Sequence, residues 1–182
     1  SAQILDGKKL AERVQASISQ AVESLKAKIG RAPGLGVILV GDNAGSQVYV
    51  ANKERYAQKC GFKTFDTRLP KDTSYKSVAD AIQSYNSNSA VDGILLQLPL
   101  PEHLDSNSLL DLIDPTKDAD GLHPVNQGLL MRGQGVLRSC TPLGCVRFID
   151  LALSGNADKI ESLEYSKLPR LDLSGKRADR GH

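Results

Sequence analysis

The chain lacks the features that would mark a membrane, secreted or nucleic-acid-binding protein. No stretch approaches the ~20 consecutive apolar residues that a bilayer-spanning helix needs, and the opening SAQILDGKKLAERV has no apolar signal-peptide core. No membrane partner is expected, and the expected address is cytoplasmic, with an organelle as the alternative. Charge of one sign is also missing: 23 Lys+Arg against 21 Asp+Glu leave a formal net charge of +2. A polyanion binder working by bulk electrostatics is therefore excluded, and no nucleic-acid partner is expected. The three cysteines, Cys60, Cys140 and Cys145, form no CxxC pair, and His103, His123 and His182 show no ligand spacing. Neither a disulfide framework nor a metal site is expected. Internal repeats are absent, as are the GxGxxG and GxxxxGK[ST] phosphate-loop spacings.

What remains reads as an ordinary globular chain. Its 182 residues suit one domain, or one domain with part of a second, and 40% hydrophobic with 24% charged residues argues against disorder. Apolar residues at Leu10, Val14, Ile18, Ala21, Leu25 and Ile29 predict one face of a helix over Gly7–Ile29, with Asp6 as its N-cap. Leu35–Val40 is a continuous apolar run bounded by glycines, as in a strand buried on both faces. Gln47–Cys60 predicts a helix stopped by Gly61. Phe62–Leu69 reads as a strand, and Thr73 caps a helix that ends at the Asn- and Ser-rich segment 86–89. Val91–Leu98 is the third strand. Ser106–Ile113 is a short helix, the stretch to Thr141 is rich in loops, and Pro142–Leu153 is the last helix, with proline in its first position. Strand and helix alternate, so the expected fold class is α/β, a three-layer βαβ domain with a mostly parallel sheet.

Polar residues that could carry chemistry gather where strands end, the usual place for ligands in such sheets. Tyr49 and Lys53 share one helix face one turn apart, with Ser46 a turn earlier. By spacing alone they are a surface pair with the lysine stem on the ring, or an aimed amine beside an aromatic platform. Gln97 ends an apolar strand in LLQLPLP, and a lone amide there is either satisfied by backbone or turned to a ligand. KDADGLHPVNQG, residues 117–128, crowds Asp118, Asp120, His123 and Asn126 together. Counted from Asp118, the twelfth position is Leu129, so an EF-hand is excluded. Capping accounts for Asp118 and a satisfied structural role for His123. GDNAGS could also seat a phosphate on helix N–H groups.

In order along the chain, ILDGK, VGDNAGSQVYVANK, DGILLQLPLP, KDADGLHPVNQG and SCTPLG closely resemble the bifunctional methylenetetrahydrofolate dehydrogenase/methenyltetrahydrofolate cyclohydrolase family over about residues 4–145. The resemblance implies a folate-binding catalytic domain over 1–153. Residues 154–182 would then be a linker and the truncated start of a Rossmann-type NADP domain. It also implies site residues: Tyr49 as an aromatic platform, Lys53 as the catalytic amine, Gln97 as the partner that orients the amine, and Asp120 as acceptor for the pterin edge. Val50, Ala51, Asn52, Leu96 and Leu98 would complete the substrate site, and Thr141 would face the cofactor. Substrate would be a tetrahydrofolate derivative, cofactor NADP, and the parent enzyme a homodimer. A non-catalytic folate-binding or regulatory module is the alternative. The match departs at Ser139, where the family has proline, and at Ala119, where it has a β-branched residue. It breaks at Ala178: LSGKRA runs into DRGH instead of a strand and a GRSxxVGxP loop. The isolated chain is accordingly expected to lack dehydrogenase activity.

Overall fold

In the computed structural model, which describes residues 4–135, 137–155 and 160, the element order is α1 (Gly7–Ile29), β1 (Gly34–Val40), α2 (Ala44–Lys59), β2 (Lys63–Leu69), α3 (Tyr75–Ser87), β3 (Gly93–Leu96), α4 (Ser106–Leu110), α5 (Pro124–Met131) and α6 (Cys140–Leu153). The three strands form one parallel sheet in the order β2-β1-β3. β1 is central because its side chains are apolar on both faces. Ile38 and Val40 pack with Ile94, Leu96, Val78 and Ile82 under α3 and α4, while Val37 and Leu39 pack with Val50 of α2 and with Leu95. The expected three-layer α/β arrangement follows from that alternation.

Two glycines mark close approaches. A Cβ at Gly36 would come within 2.7 Å of the Tyr85 ring, so the β1 backbone lies directly on α3. Gly61 (φ +92°) turns the chain out of α2, as expected of a residue after a helix end.

Several boundaries differ from expectation. Asp6 does cap α1, accepting from Lys8 N and Lys9 N. The presumed core face of α1 is only partly covered, since Leu10 and Val22 are buried while Ile18, Leu25 and Ile29 stay 39–43% exposed. Ser74, not Thr73, caps α3, its hydroxyl accepting from Ser77 N. β3 begins only at Gly93, because Asp92 is turned aside to accept from both Arg31 guanidinium NH2 groups (2.6 and 2.8 Å) and from Gly34 N (2.8 Å). α6 starts at Cys140, two residues before Pro142. The stretch read as loop contains α5, whose eight residues are too few to show periodicity and whose cap is an imidazole, with His123 Nδ1 accepting from Val125 N. Within 154–182, the expected linker and start of an NADP domain, only Ser154, Gly155 and Ile160 belong to the described residues, and Ile160 packs with Leu10 and Leu151.

Candidate functional site

Connections from the central strand set the site. The chain leaves β1 toward β2 through α2 and returns on the other side of β1 as β3, so the carboxyl ends of β1 and β3 flank a crevice at the point where strand order reverses. α2 starts at the end of β1, where Asn43 Oδ1 accepts from Ser46 N (3.0 Å). Gln97 directly follows β3 and extends its ladder, with Gln97 N donating to Ile38 O (2.9 Å). The Leu98-Pro99 peptide beyond it is cis. Between these elements lies a cavity of about 420 Å³ lined by Tyr49, Lys53, Gln97, Leu98 and Thr141, together with Asn43, Gly45, Ser46 and Pro99.

Asp120 enters from a third direction. Lys117–Ala119 runs beside β3 as a short parallel extension, with Ile94 N donating to Lys117 O (2.6 Å) and Ala119 N to Ile94 O (3.1 Å). The lysine of this segment is structural: Lys117 Nζ donates to the Tyr85, Asn86 and Asn88 carbonyls, closing the open end of α3. So is Asp118, which is buried and accepts from Leu122 N (3.2 Å), His123 N (2.9 Å) and Asn126 Nδ2 (2.9 Å). Asp120, two residues on, is left facing the cleft with its Oδ2 3.8 Å from Lys53 Nζ.

The electrostatics of the cleft are those of a partly open site. The Lys53 and Asp120 side chains are 37% and 26% exposed, and 3.8 Å is contact without a hydrogen bond, so this pair contributes under about 1 kcal/mol to stability. Gln97 is the more constrained group: its Nε2 donates to the Leu98 carbonyl, and its buried Oε1 has no hydrogen-bond partner among the described residues. An orphaned buried acceptor costs on the order of 1–3 kcal/mol, which a donor arriving in the cleft would recover. Desolvation, then the charge of Asp120, holds the Cys140 thiol above its usual range, while Lys53 pulls the other way. That thiol stays protonated at neutral pH and is a poor nucleophile.

Of the residues singled out from sequence, Tyr49, Lys53, Gln97, Leu98 and Thr141 line one cavity, and Asp120 meets Lys53 at its edge. Tyr49 is 65% exposed, a ring largely open to solvent at the cleft. Val50 and Leu96 turn their side chains into the core on either face of the sheet. Asn52 accepts from Arg55 Nη2 (3.0 Å), and Asn52 and Ala51 are not among the residues lining the cavity. Asn43 and Gly45 lie in GDNAGS and Pro99 in LLQLPLP, but their place in this cavity, like the nearness of Cys140 to Asp120 and Lys53, follows only from the fold. The cap signal in GDNAGS could have placed Asn43.

Residues 5–120 match the family described as tetrahydrofolate dehydrogenase/cyclohydrolase, catalytic domain. The chain is 50% identical over 142 residues to the bifunctional protein FolD of Streptococcus equi subsp. zooepidemicus, an alignment that takes in 78% of this chain and 50% of that protein. Among solved structures it resembles the Campylobacter jejuni bifunctional FolD methylenetetrahydrofolate dehydrogenase/cyclohydrolase, with TM-score 0.77 and 37% identity over 83% of this chain and 53% of that one. It also resembles Trypanosoma brucei methylenetetrahydrofolate dehydrogenase-cyclohydrolase, solved with NADP and an inhibitor, with TM-score 0.77 and 35% identity over 85% and 52% of the two chains. The chain thus spans about half the length of the curated relatives it matches.

Proposed function

The chain belongs to the tetrahydrofolate dehydrogenase/cyclohydrolase family, and from that premise we propose that its cleft binds a methylene- or methenyltetrahydrofolate and that Lys53 assists hydrolysis of the methenyl form. The observation that carries the proposal is the meeting, in one cavity, of an amine, a carboxylate 3.8 Å from it, an orphaned amide oxygen and an exposed aromatic ring.

Each group has a task. Tyr49 offers its ring to the aromatic middle of the substrate. Asp120 accepts from the pterin's amino edge, and in doing so it is drawn from Lys53, which loses the counter-charge that favours its ammonium form. The methenyl substrate is itself a cation and disfavours a second positive charge beside it. Gln97 Oε1 accepts an N–H of the amine and turns its lone pair toward the reacting carbon. A water oxygen then bonds to the methenyl carbon while one proton passes to Lys53 Nζ. Collapse breaks one carbon–nitrogen bond to give the formyl product; the leaving nitrogen regains a proton from Lys53, and a second proton is released.

For the dehydrogenase half of the activity, NADP would supply a hydride acceptor when bound. Among the described residues Thr141 brings a hydroxyl to the cleft, but the glycine-containing loop between β1 and α2, GDNAGS, lacks the GxGxxG spacing that seats a dinucleotide's pyrophosphate. They do not fit the whole cofactor, and the oxidation belongs to the family-length protein. We assign that protein a cytoplasmic location and a homodimeric state on the same family premise; among the described residues no helix is long and apolar enough to cross a membrane.

Calorimetric titration with tetrahydrofolate tests the substrate assignment. Saturable binding that weakens in Tyr49→Ala supports it. Absence of binding, or indifference to that change, overturns it.

A further inference from the structure

A second cavity, of about 560 Å³, lies between α1 and α2 and is lined by Lys8, Ala11, Glu12 and Gln15 from one helix and Arg55, Tyr56 and Lys59 from the other. It is larger than the folate cleft and none of its residues serves there.

Several surface cations are matched to carboxylates, as in Lys26–Glu23, Arg31–Asp92, Arg68–Asp66 and Lys76–Asp80. Lys8, Arg55 and Lys59 face one groove, and none has a carboxylate within ion-pair distance among the described residues. The acidic groups nearby are Glu12, which lines the groove with no ion pair among the described residues, and Asp6, whose carboxylate is engaged by the Lys8 and Lys9 amides. The Arg55 guanidinium lies 5.0 Å from the Tyr56 ring centroid, and that ring is 42% exposed. Three cations against the single Glu12 carboxylate leave the groove net positive, a charge that a multiply charged anion would balance. Contributions from two facing helices favour a compact anion over an extended surface.

We propose that this groove binds an oligophosphate, either a free chain or the tail of a nucleotide. Phosphate oxygens bridge Lys8 on one wall and Arg55 and Lys59 on the other; a nucleotide would add a base stacked at Tyr56. The volume is in the range that holds a mononucleotide.

The test is calorimetric titration of the chain with tripolyphosphate and with ATP at low ionic strength. The proposal expects saturable binding that weakens with salt. Arg55→Glu and Lys8→Glu, on opposite walls, should each weaken it by about tenfold or more. Lys76→Glu changes net charge equally at a distant exposed site and should alter it by less than about twofold. Far-UV circular dichroism melts confirm that each variant is folded. ATP binding tighter than tripolyphosphate, with the surplus lost in Tyr56→Ala, identifies a nucleotide; equal affinities identify the phosphate chain itself. Failure to saturate by about 10 mM, or equal weakening by Lys76→Glu, overturns the site.

Discussion

Two aspartates two residues apart provide a sharp separation of structure from binding. Asp118 is 3% exposed and accepts three hydrogen bonds, two from backbone amides and one from Asn126. Asp118→Ala leaves all three donors without their acceptor and deletes a buried charge. At about 1 kcal/mol for each bond, the loss is on the order of 3 kcal/mol. For a chain of this size that lowers the melting temperature by roughly 6–12 °C. Asp120→Ala removes only a 3.8 Å contact with a partly exposed lysine, worth under about 1 kcal/mol, and should move the melt by less than about 4 °C. In tetrahydrofolate binding the order reverses. A charge-assisted bond from Asp120 to the pterin edge is worth about 1.5–3 kcal/mol, so Asp120→Ala should raise the dissociation constant about tenfold or more. Asp118→Ala, measured well below its melting temperature, should weaken binding less, through whatever slack it gives the segment that carries Asp120. Circular dichroism melts and calorimetric titrations of the two variants decide the matter. If Asp120→Ala proved the less stable protein, or Asp118→Ala the weaker binder, the division of labour within KDAD would be wrong.

Tyr49→Ala should weaken tetrahydrofolate binding by about 1 kcal/mol or more with little change in the melt, since the ring is exposed; calorimetry measures it. Gln97→Leu removes the orphaned acceptor together with the Nε2 bond to the Leu98 carbonyl, two effects of opposite sign, so it should change stability by less than about 1 kcal/mol in chemical denaturation while lowering methenyltetrahydrofolate hydrolysis. The Glu54 carboxyl is raised above its usual value, first by desolvation and then by Asp66. The folded chain therefore holds that proton more tightly than the unfolded one, and ionisation costs stability as pH rises through the raised value. Glu54→Gln should increase the melting temperature near pH 7 and not near pH 4.

Much of the scaffold was legible because its elements carry strong local signals. Asp6, the apolar run of β1 and Gly61 each fix a boundary by capping, burial or a left-handed turn. The shortfalls have physical causes. α5 is too short to repeat, β3 loses Asp92 to an ion pair with Arg31 61 residues away, and α1 shows a periodic apolar face that the described residues cover only in part. In the site, Lys53 and Tyr49 could be paired by helical spacing, but nothing local brings Asp120 to Lys53. That meeting depends on Lys117–Ala119 lying along β3, a tertiary register no spacing reveals. The orphaned oxygen of Gln97 and the cations shared by α1 and α2 are likewise visible only once the chain is folded.

Whether Lys53 is the working amine of a folate cleft is decided by the rate of methenyltetrahydrofolate hydrolysis in Lys53→Met against the unmodified protein, each checked for folding and for tetrahydrofolate binding. Turnover should fall by about 100-fold or more, the scale of a lost proton-transfer group, with binding retained and a melt within about 4 °C. Hydrolysis at the unmodified rate by Lys53→Met would contradict that role, as would an unmodified protein that binds folate and hydrolyses nothing.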